Sequence, residues 1–220
     1  MKISRIVLLI CSFVVLVSSF FKIPYFSTSL FRIIALIFAF IISKFMAFFW
    51  ERKIQVYKSE IVVDGIQVYI LPYNFLKSHN VMIFKGKKYN IIIEEEIMNN
   101  LSQEQLKVVL YHEVGHTHTI SREVILGMEL FALYFNSQGL YKSIYENSGT
   151  VYLLIGVSLF LVSEILKRYI EFKADIYAIQ CGYDSETLIS AIECIEQMNG
   201  NKKIVVSAHP STKSRFRNLK

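Results

Sequence analysis

The chain has 220 residues, of which 53% are hydrophobic and only 19% are charged. With a mean hydropathy of +0.40 and its apolar residues gathered in blocks, this composition indicates a membrane protein rather than a soluble domain. The formal net charge is +6, but the basic residues flank apolar blocks and do not form a stripe with interleaved aromatic residues, which argues against nucleic-acid binding. The cysteines form no CxxC pair, so no disulfide framework is indicated.

Two apolar runs, residues 6–21 and 30–50, precede the first polar segment of the chain. Each reaches the about 20 residues that a transmembrane helix needs if its terminal Lys or Arg extends to the interface. Residues 1–50 are therefore predicted to form a transmembrane hairpin. A cleaved signal peptide is the alternative for the first run, but no small-x-small cleavage site precedes residue 22.

The polar segment that follows carries strand and helix signals. Asp64-Gly65 lies between β-branched stretches and predicts a tight hairpin over residues 61–70. Residues 80–84 and 89–93 read as further short strands, so a small antiparallel sheet is expected. Ser102, with a glutamine three residues later, predicts a helix that begins with a capping box.

That helix carries the sequence His112-Glu113-Val114-Gly115-His116, which has the form H-E-x-x-H. Residues four apart share a helical face, so the two imidazoles can bind one cation, and zinc fits this arrangement. Glu113 lies one position round the helix, where it can deprotonate a water molecule without being a ligand. Gly115 costs about 1 kcal/mol relative to Ala inside a helix, which predicts a neighbouring element close to its backbone.

Two more apolar blocks follow, at residues 124–135 and 151–166, joined by a polar loop over residues 141–150. Both are predicted to span the membrane, although the first is short unless the helix continues to residue 140. With these spans, most of the basic residues near the span ends fall on the same side as the H-E-x-x-H helix. The positive-inside rule then places that helix in the cytoplasm.

A third zinc ligand is expected from another helix. Glu171-Phe172-Lys173-Ala174-Asp175 follows the last apolar block, and its two acidic residues lie four apart on one helical face. This spacing suits Glu171 as the ligand and Asp175 as the acceptor for the N–H group of a ligand histidine. The alternative is two solvated acidic side chains on an ordinary helix.

With these motifs in this order, the chain resembles the integral-membrane zinc metallopeptidases of the HtpX and CAAX prenyl protease type. In that family an H-E-x-x-H helix is followed by an E-x-x-A-D segment and then by a C-terminal H-P-P-x-x-x-R stretch. The last motif corresponds here to residues 209–215, in which Ser211 replaces the second proline.

The resemblance implies a role for each matching residue. One zinc ion per chain would be bound by three ligands: His112, His116 and Glu171. Glu113 would be the general base and acid, and His209 would stabilise the developing oxyanion. Asp175 would orient a ligand, and Arg215 would support the same site. Asn80 begins a segment similar to the family's edge strand, which would pair with an extended substrate.

The predicted fold is an α-helical membrane protein of about four transmembrane helices with a small α+β, gluzincin-like catalytic domain. Residues 1–50 form the hairpin, 51–121 the sheet and H-E-x-x-H helix, 122–167 the second apolar helix pair, and 168–220 the rest of the catalytic domain.

The predicted function is that of a zinc endopeptidase in the cell membrane, multi-pass and with its catalytic domain in the cytoplasm. It would cleave membrane or membrane-proximal proteins in quality control, with protein substrates and the lipid bilayer as partners and no nucleic acid. One alternative is a signal-activated sensor metalloprotease. The other is a non-catalytic membrane protein with a structural zinc site.

Overall fold

The computed structural model describes residues 37, 41, 42, 45, 48–73, 75, 80–86, 88–120, 122–200 and 215. The predicted span over residues 6–21 and most of that over 30–50 lie outside these residues, as does His209. The chain divides into two compact units. The first comprises residues 1–50 and 122–165, and the second comprises residues 51–121 and 166–220.

The second unit contains a four-stranded sheet. Its strands are β1 (Lys58–Val63), β2 (Ile66–Leu71), β3 (Val81–Lys85) and β4 (Tyr89–Glu94), in the order β1-β2-β4-β3. The predicted hairpin is confirmed, because β1 and β2 are antiparallel and joined by a tight turn. Asp64 (φ 48°) and Gly65 (φ 74°) both have positive φ, as a two-residue hairpin turn of this hand requires.

The expectation of a purely antiparallel sheet is wrong. β3 and β4 are antiparallel, but β2 and β4 are parallel. The reason is strand order: β4 lies between β2 and β3 in the sheet, so it pairs with β2 although β3 separates the two strands in the sequence. Strand order depends on contacts between distant residues, which local patterns do not record. β3 is left at an edge of the described sheet.

The described helices are α1 (Glu95–Asn100), α2 (Gln103–Gly115), α3 (Arg122–Tyr145), α4 (Thr150–Gln180) and α5 (Ser185–Met198). The capping box of α2 is confirmed, since Ser102 Oγ accepts a hydrogen bond from Gln105 N (3.2 Å) and Gln105 Oε1 accepts one from Ser102 N (2.9 Å).

One helix was not predicted, and two helix boundaries differ from the predictions. Helix α1 carries no cap signal and was not predicted. Helix α2 ends at Gly115, so His116 is its C-cap and begins a 3-10 helix, His116–His118. Helix α3 continues to Tyr145, through the first half of the predicted polar loop. The backbone N–H and C=O groups bond to one another within a helix, so polar side chains on this stretch do not end it.

Helix α2 is fixed to the sheet and to α5 by a shared hydrophobic core. Deeply buried members of this core come from all three elements, among them Val68, Ile91, Val108, Val114 and Leu188. Burying such side chains stabilises a fold by about 1.5–3 kcal/mol each. This packing determines where the face of α2 that carries the histidines lies.

Within the described residues, α4 is the one helix that is long and apolar enough to cross a membrane. The first half of this helix exposes large apolar side chains, among them Val151, Leu154 and Ile165. The predicted span at residues 124–135 lies in α3, which is 24 residues long but carries polar side chains such as Glu129, Asn136 and Gln138. The number of spans therefore stays a prediction.

Candidate metal centre

The two histidines of the H-E-x-x-H motif lie side by side in the second unit. Their ring centroids are 4.9 Å apart and the rings are nearly perpendicular, at 84°. One ligand atom from each of His112, Glu113 and His116 lies within 4.8 Å of the others, and all three residues are buried. The shift from α-helix to 3-10 helix at His116 leaves both imidazoles on one side of α2.

Glu171 of α4 reaches both rings. Its Oε2 atom is 3.6 Å from His112 Nε2, and its Oε1 atom is 3.7 Å from His116 Nε2. Two ligand atoms of a tetrahedral zinc ion, each about 2.0–2.2 Å from the metal, are about 3.3–3.6 Å apart. The two distances from Glu171, 3.6 Å and 3.7 Å, lie at or just above the upper end of this range, so the carboxylate is close enough to both imidazoles to share a zinc ion with them.

Close packing of α2 against α4 makes this approach possible. A Cβ atom added to Gly115 would lie 2.8 Å from the Cα atom and 3.0 Å from the carbonyl oxygen of Ala174. Ala174 is itself completely buried, and it lies in the turn of α4 that also carries Glu171 and Asp175. The close neighbour predicted for Gly115 is thus the backbone of the E-x-x-A-D segment.

A buried charge network holds His112 from the other side of its ring. His112 Nδ1 lies 2.8 Å from Asp175 Oδ1. Arg215 Nε donates to Asp175 Oδ2 (2.8 Å), and Arg215 Nη2 donates to Oδ1 and lies 3.3 Å from His112 Nδ1. Asp175 thus contacts both the imidazole and the guanidinium group, and Arg215 compensates the charge of Asp175.

This network also shifts the pKa of His112. Burial lowers the pKa of the imidazole, but the carboxylates of Asp175 and Glu171 raise it more, to about 9. The carboxylates of Asp175 and Glu171 thus favour a positive charge on or next to the imidazole of His112. A bound cation benefits from the same field, and it would displace the proton because a ligand histidine must be neutral.

Glu113 points towards the sheet. The backbone N–H group of Ile83 donates a hydrogen bond of 2.6 Å to Glu113 Oε2. Ile83 is in the middle of β3, and its donation to Glu113 directs this amide away from β4. The outer edge of β3 therefore faces the carboxylate of Glu113.

The sequence prediction did not identify Ile83 as the residue that positions Glu113. The sequence did indicate an edge strand at residues 80–84. It does not show the register of that strand relative to α2, and so it does not show which residue of the strand contacts Glu113. Asn80 comes directly before β3 and is half-buried. His118, the extra histidine after the motif, stacks on Tyr177 with a centroid distance of 4.8 Å.

A helix with two buried histidines and a glutamate, joined by a second glutamate from another helix and facing a small sheet, defines a site of the metallopeptidase class. Residues 72–220, more than half of the chain, match the peptidase family M48, and the chain belongs to that family. The resemblance inferred from the three motifs is confirmed.

Two relatives show how far this likeness extends. The chain is 28% identical over 114 residues to the CAAX prenyl protease 1 homolog of Dictyostelium discoideum, a match that covers 42% of this chain and 27% of that protein. The crystal structure of S. mikatae Ste24p has the same fold, with a TM-score of 0.55 at 15% identity. That match covers 100% of this chain and 63% of Ste24p, so this chain spans less than two thirds of either relative.

Proposed function

We propose that this protein is a membrane-attached, zinc-dependent endopeptidase. The observation that carries the proposal is the placement of Glu171, whose two oxygens lie 3.6 Å and 3.7 Å from the Nε2 atoms of His112 and His116. A structural zinc site is normally closed by four protein ligands and rich in cysteine. Two histidines and one glutamate leave a coordination position for a substrate, as catalytic zinc sites do.

The residues that would hold zinc are His112, His116 and Glu171. When bound, zinc supplies Lewis-acid polarisation of the scissile carbonyl and a nucleophile at neutral pH. Asp175 accepts the proton of His112 Nδ1, which fixes the tautomer that presents Nε2 to the cation. Arg215 keeps Asp175 ionised and in place.

Glu113 is the group that moves the proton. It takes the proton of the attacking water and passes it to the leaving amine, which is general base and then general acid catalysis. The hydrogen bond from Ile83 N holds Glu113 Oε2 and so fixes the direction of the carboxylate. Because β3 is an edge strand of the described sheet, an extended substrate can pair with its outer side next to Glu113.

The proposed substrates are membrane or membrane-proximal proteins, cleaved at the cytoplasmic face as part of protein quality control. Two observations support this setting. Helix α4 is long and apolar enough to cross a membrane, and the same helix carries Glu171 after its apolar part. The positive-inside distribution of basic residues supports the cytoplasmic side.

The experiment that tests the proposal compares proteolysis of an unfolded model protein by the wild-type chain and by Glu113→Gln, both purified in detergent. Loss of the general base is expected to lower the rate by about a hundredfold or more. Zinc content is expected to be equal and near one per chain in both, because Glu113 is not a ligand. Glu104→Gln is the matched control, since Glu104 is exposed in the first turn of the same helix and should leave the rate unchanged.

Two results would contradict the proposal. Absence of zinc from both proteins would remove the metal site. Zinc in both proteins without cleavage across a broad panel of substrates would favour a structural site or a sensor protease with a single target.

A further inference from the structure

The second unit carries a group of aromatic, aliphatic and basic side chains, exposed or half-buried, close to the start of its sheet. We call this group the interface patch, and it consists of Lys53, Val56, Tyr57, Tyr73 and Phe75. Val56 is 82% exposed, the highest value for a large hydrophobic side chain among the described residues, and Tyr73 is 62% exposed. Exposed apolar side chains gathered in one place mark a surface that binds a partner or a membrane.

Contacts between two separate segments build the patch. The rings of Tyr57 and Phe75 meet edge to face with centroids 5.4 Å apart. Lys53 Nζ lies 5.0 Å from the centre of the Phe75 ring, within the range of a cation–π interaction. Lys53, Tyr57 and Phe75 therefore form one surface in which a charged group lies over an aromatic face.

The segment that presents Val56 is anchored to the fold on its other side. Ile54 is completely buried, and Gln55 Nε2 donates a hydrogen bond to Tyr69 OH on β2 (3.2 Å). Val56 comes directly after these two anchored residues and faces outward. Its exposure thus belongs to the folded arrangement of the segment and not to a loose end.

The chemistry of the patch favours a bilayer over a protein surface. Tyrosine and phenylalanine next to basic residues are typical of the membrane–water interface, where the ring meets the headgroups and the ammonium or guanidinium group meets phosphate. Arg52, Lys53 and Lys58 are all exposed around the patch. The carboxylate of Glu51 lies instead against Gly86 in the turn between β3 and β4.

Chain continuity points to the same partner. The patch begins soon after the apolar run of residues 30–50, so the chain enters it from a segment that is predicted to lie in lipid. We propose that the interface patch inserts into the headgroup region of a bilayer that contains anionic lipid and so holds the second unit against the membrane. This inference rests on the membrane attachment in the proposed function, but not on peptide hydrolysis.

The test uses the single tryptophan of the chain, Trp50. The full chain with Trp50→Phe is reconstituted into vesicles of phosphatidylcholine and phosphatidylglycerol, and Val56→Trp is added as a probe in the patch. Val62→Trp is the matched control. Val62 is also exposed, at 57%, but it lies in β1 about 13 Å from Lys58, the first residue of that strand.

Lipids brominated in the upper part of their acyl chains are expected to quench the Val56→Trp probe at least about twofold more than the Val62→Trp control. Acrylamide in the aqueous phase should show the opposite preference. Lys53→Glu should reduce bromolipid quenching of the Val56→Trp probe in the mixed vesicles and have little effect in pure phosphatidylcholine, because the attraction to anionic lipid is electrostatic.

Equal bromolipid quenching of the two probes would overturn the proposal. So would a Val56→Trp probe that is shielded from acrylamide but unaffected by bromolipid, since a protein partner or a second copy of the chain would then cover the patch. If Val56→Trp disturbs folding, seen as loss of bound zinc, Tyr73→Trp in the same background replaces it. Either outcome leaves the test of Glu113 untouched, so failure of this proposal is distinct from failure of the proposed function.

Discussion

At the scale of single residues, the carboxylate of Asp175 contacts both Arg215 and His112 and so links the two side chains. Asp175→Asn keeps the size of the side chain and removes its charge. The guanidinium group would then be buried without compensation, which costs about 3–5 kcal/mol of unfolding free energy. The amide can also donate to His112 Nδ1, which would favour the wrong tautomer and lower zinc affinity about 10–100-fold. Denaturant unfolding and zinc competition with a chelator measure the two effects.

A double variant separates these effects. Adding Arg215→Met to Asp175→Asn removes the uncompensated charge, so most of the lost stability should return. Zinc affinity should stay low, because nothing then orients His112. Recovery of zinc affinity together with stability would show that Asp175 acts only through folding, and the role assigned to it in orienting the ligand would be withdrawn.

At the scale of elements, the contact of Gly115 with Ala174 sets the distance between α2 and α4. Gly115→Ala places a methyl group 2.8 Å from a backbone atom, which cannot move without moving α4. Overpacking of this kind costs about 1–3 kcal/mol, and zinc affinity should fall because Glu171 moves with α4. The measurements are thermal unfolding and zinc titration in detergent.

Gly127→Ala in α3 is the matched control for that variant. A Cβ atom at Gly127 would have no neighbour within 4 Å, so the exchange should be neutral or stabilise the helix by about 0.5–1 kcal/mol. Unchanged zinc affinity in Gly115→Ala would contradict the view that this contact positions Glu171.

Tyr177 joins three elements of the second unit. Its hydroxyl group donates to Asp64 Oδ2 in the β1–β2 turn (3.1 Å), and its ring stacks on His118 at an interplanar angle of 24°. Tyr177→Phe keeps the stacking and loses one hydrogen bond, so it should cost about 0.5–1.5 kcal/mol. Tyr177→Ala loses the ring as well and should cost more. Urea unfolding compares the two variants, and an equal loss in both would assign the whole effect to the hydroxyl group.

Features of the fold and site that depend on residues close together in the sequence could be predicted, and those that depend on contacts between distant residues could not. The capping box at Ser102 and the turn at Asp64-Gly65 are local signals, and both predictions are confirmed. The spacing of Glu171 and Asp175 is local as well, and the roles assigned to them stay predictions. The parallel pairing of β2 with β4 and the hydrogen bond from Ile83 to Glu113 depend on strand order and register. Those are properties of contacts between distant residues, and a single sequence does not display them.

At the scale of the whole molecule, the second unit is assembled from two separated parts of the chain, residues 51–121 and 166–220. The proposed ligands come from both parts, because His112 and His116 are in the first and Glu171 is in the second. A zinc ion would therefore tie together two segments that are far apart in sequence, and its binding free energy would add directly to the stability of the unit.

Removal of zinc by a chelator should accordingly lower the unfolding temperature of the full chain in detergent. At a zinc concentration of about 100 times the dissociation constant, the stabilisation that is lost is about 2.7 kcal/mol. Glu113→Gln should keep this response to the chelator, because Glu113 is assigned the proton transfer and not the metal. Glu171→Gln should lose the response, since it removes a ligand. A chelator response that survives in Glu171→Gln but not in Glu113→Gln would exchange the roles of the two glutamates and refute the site as assigned.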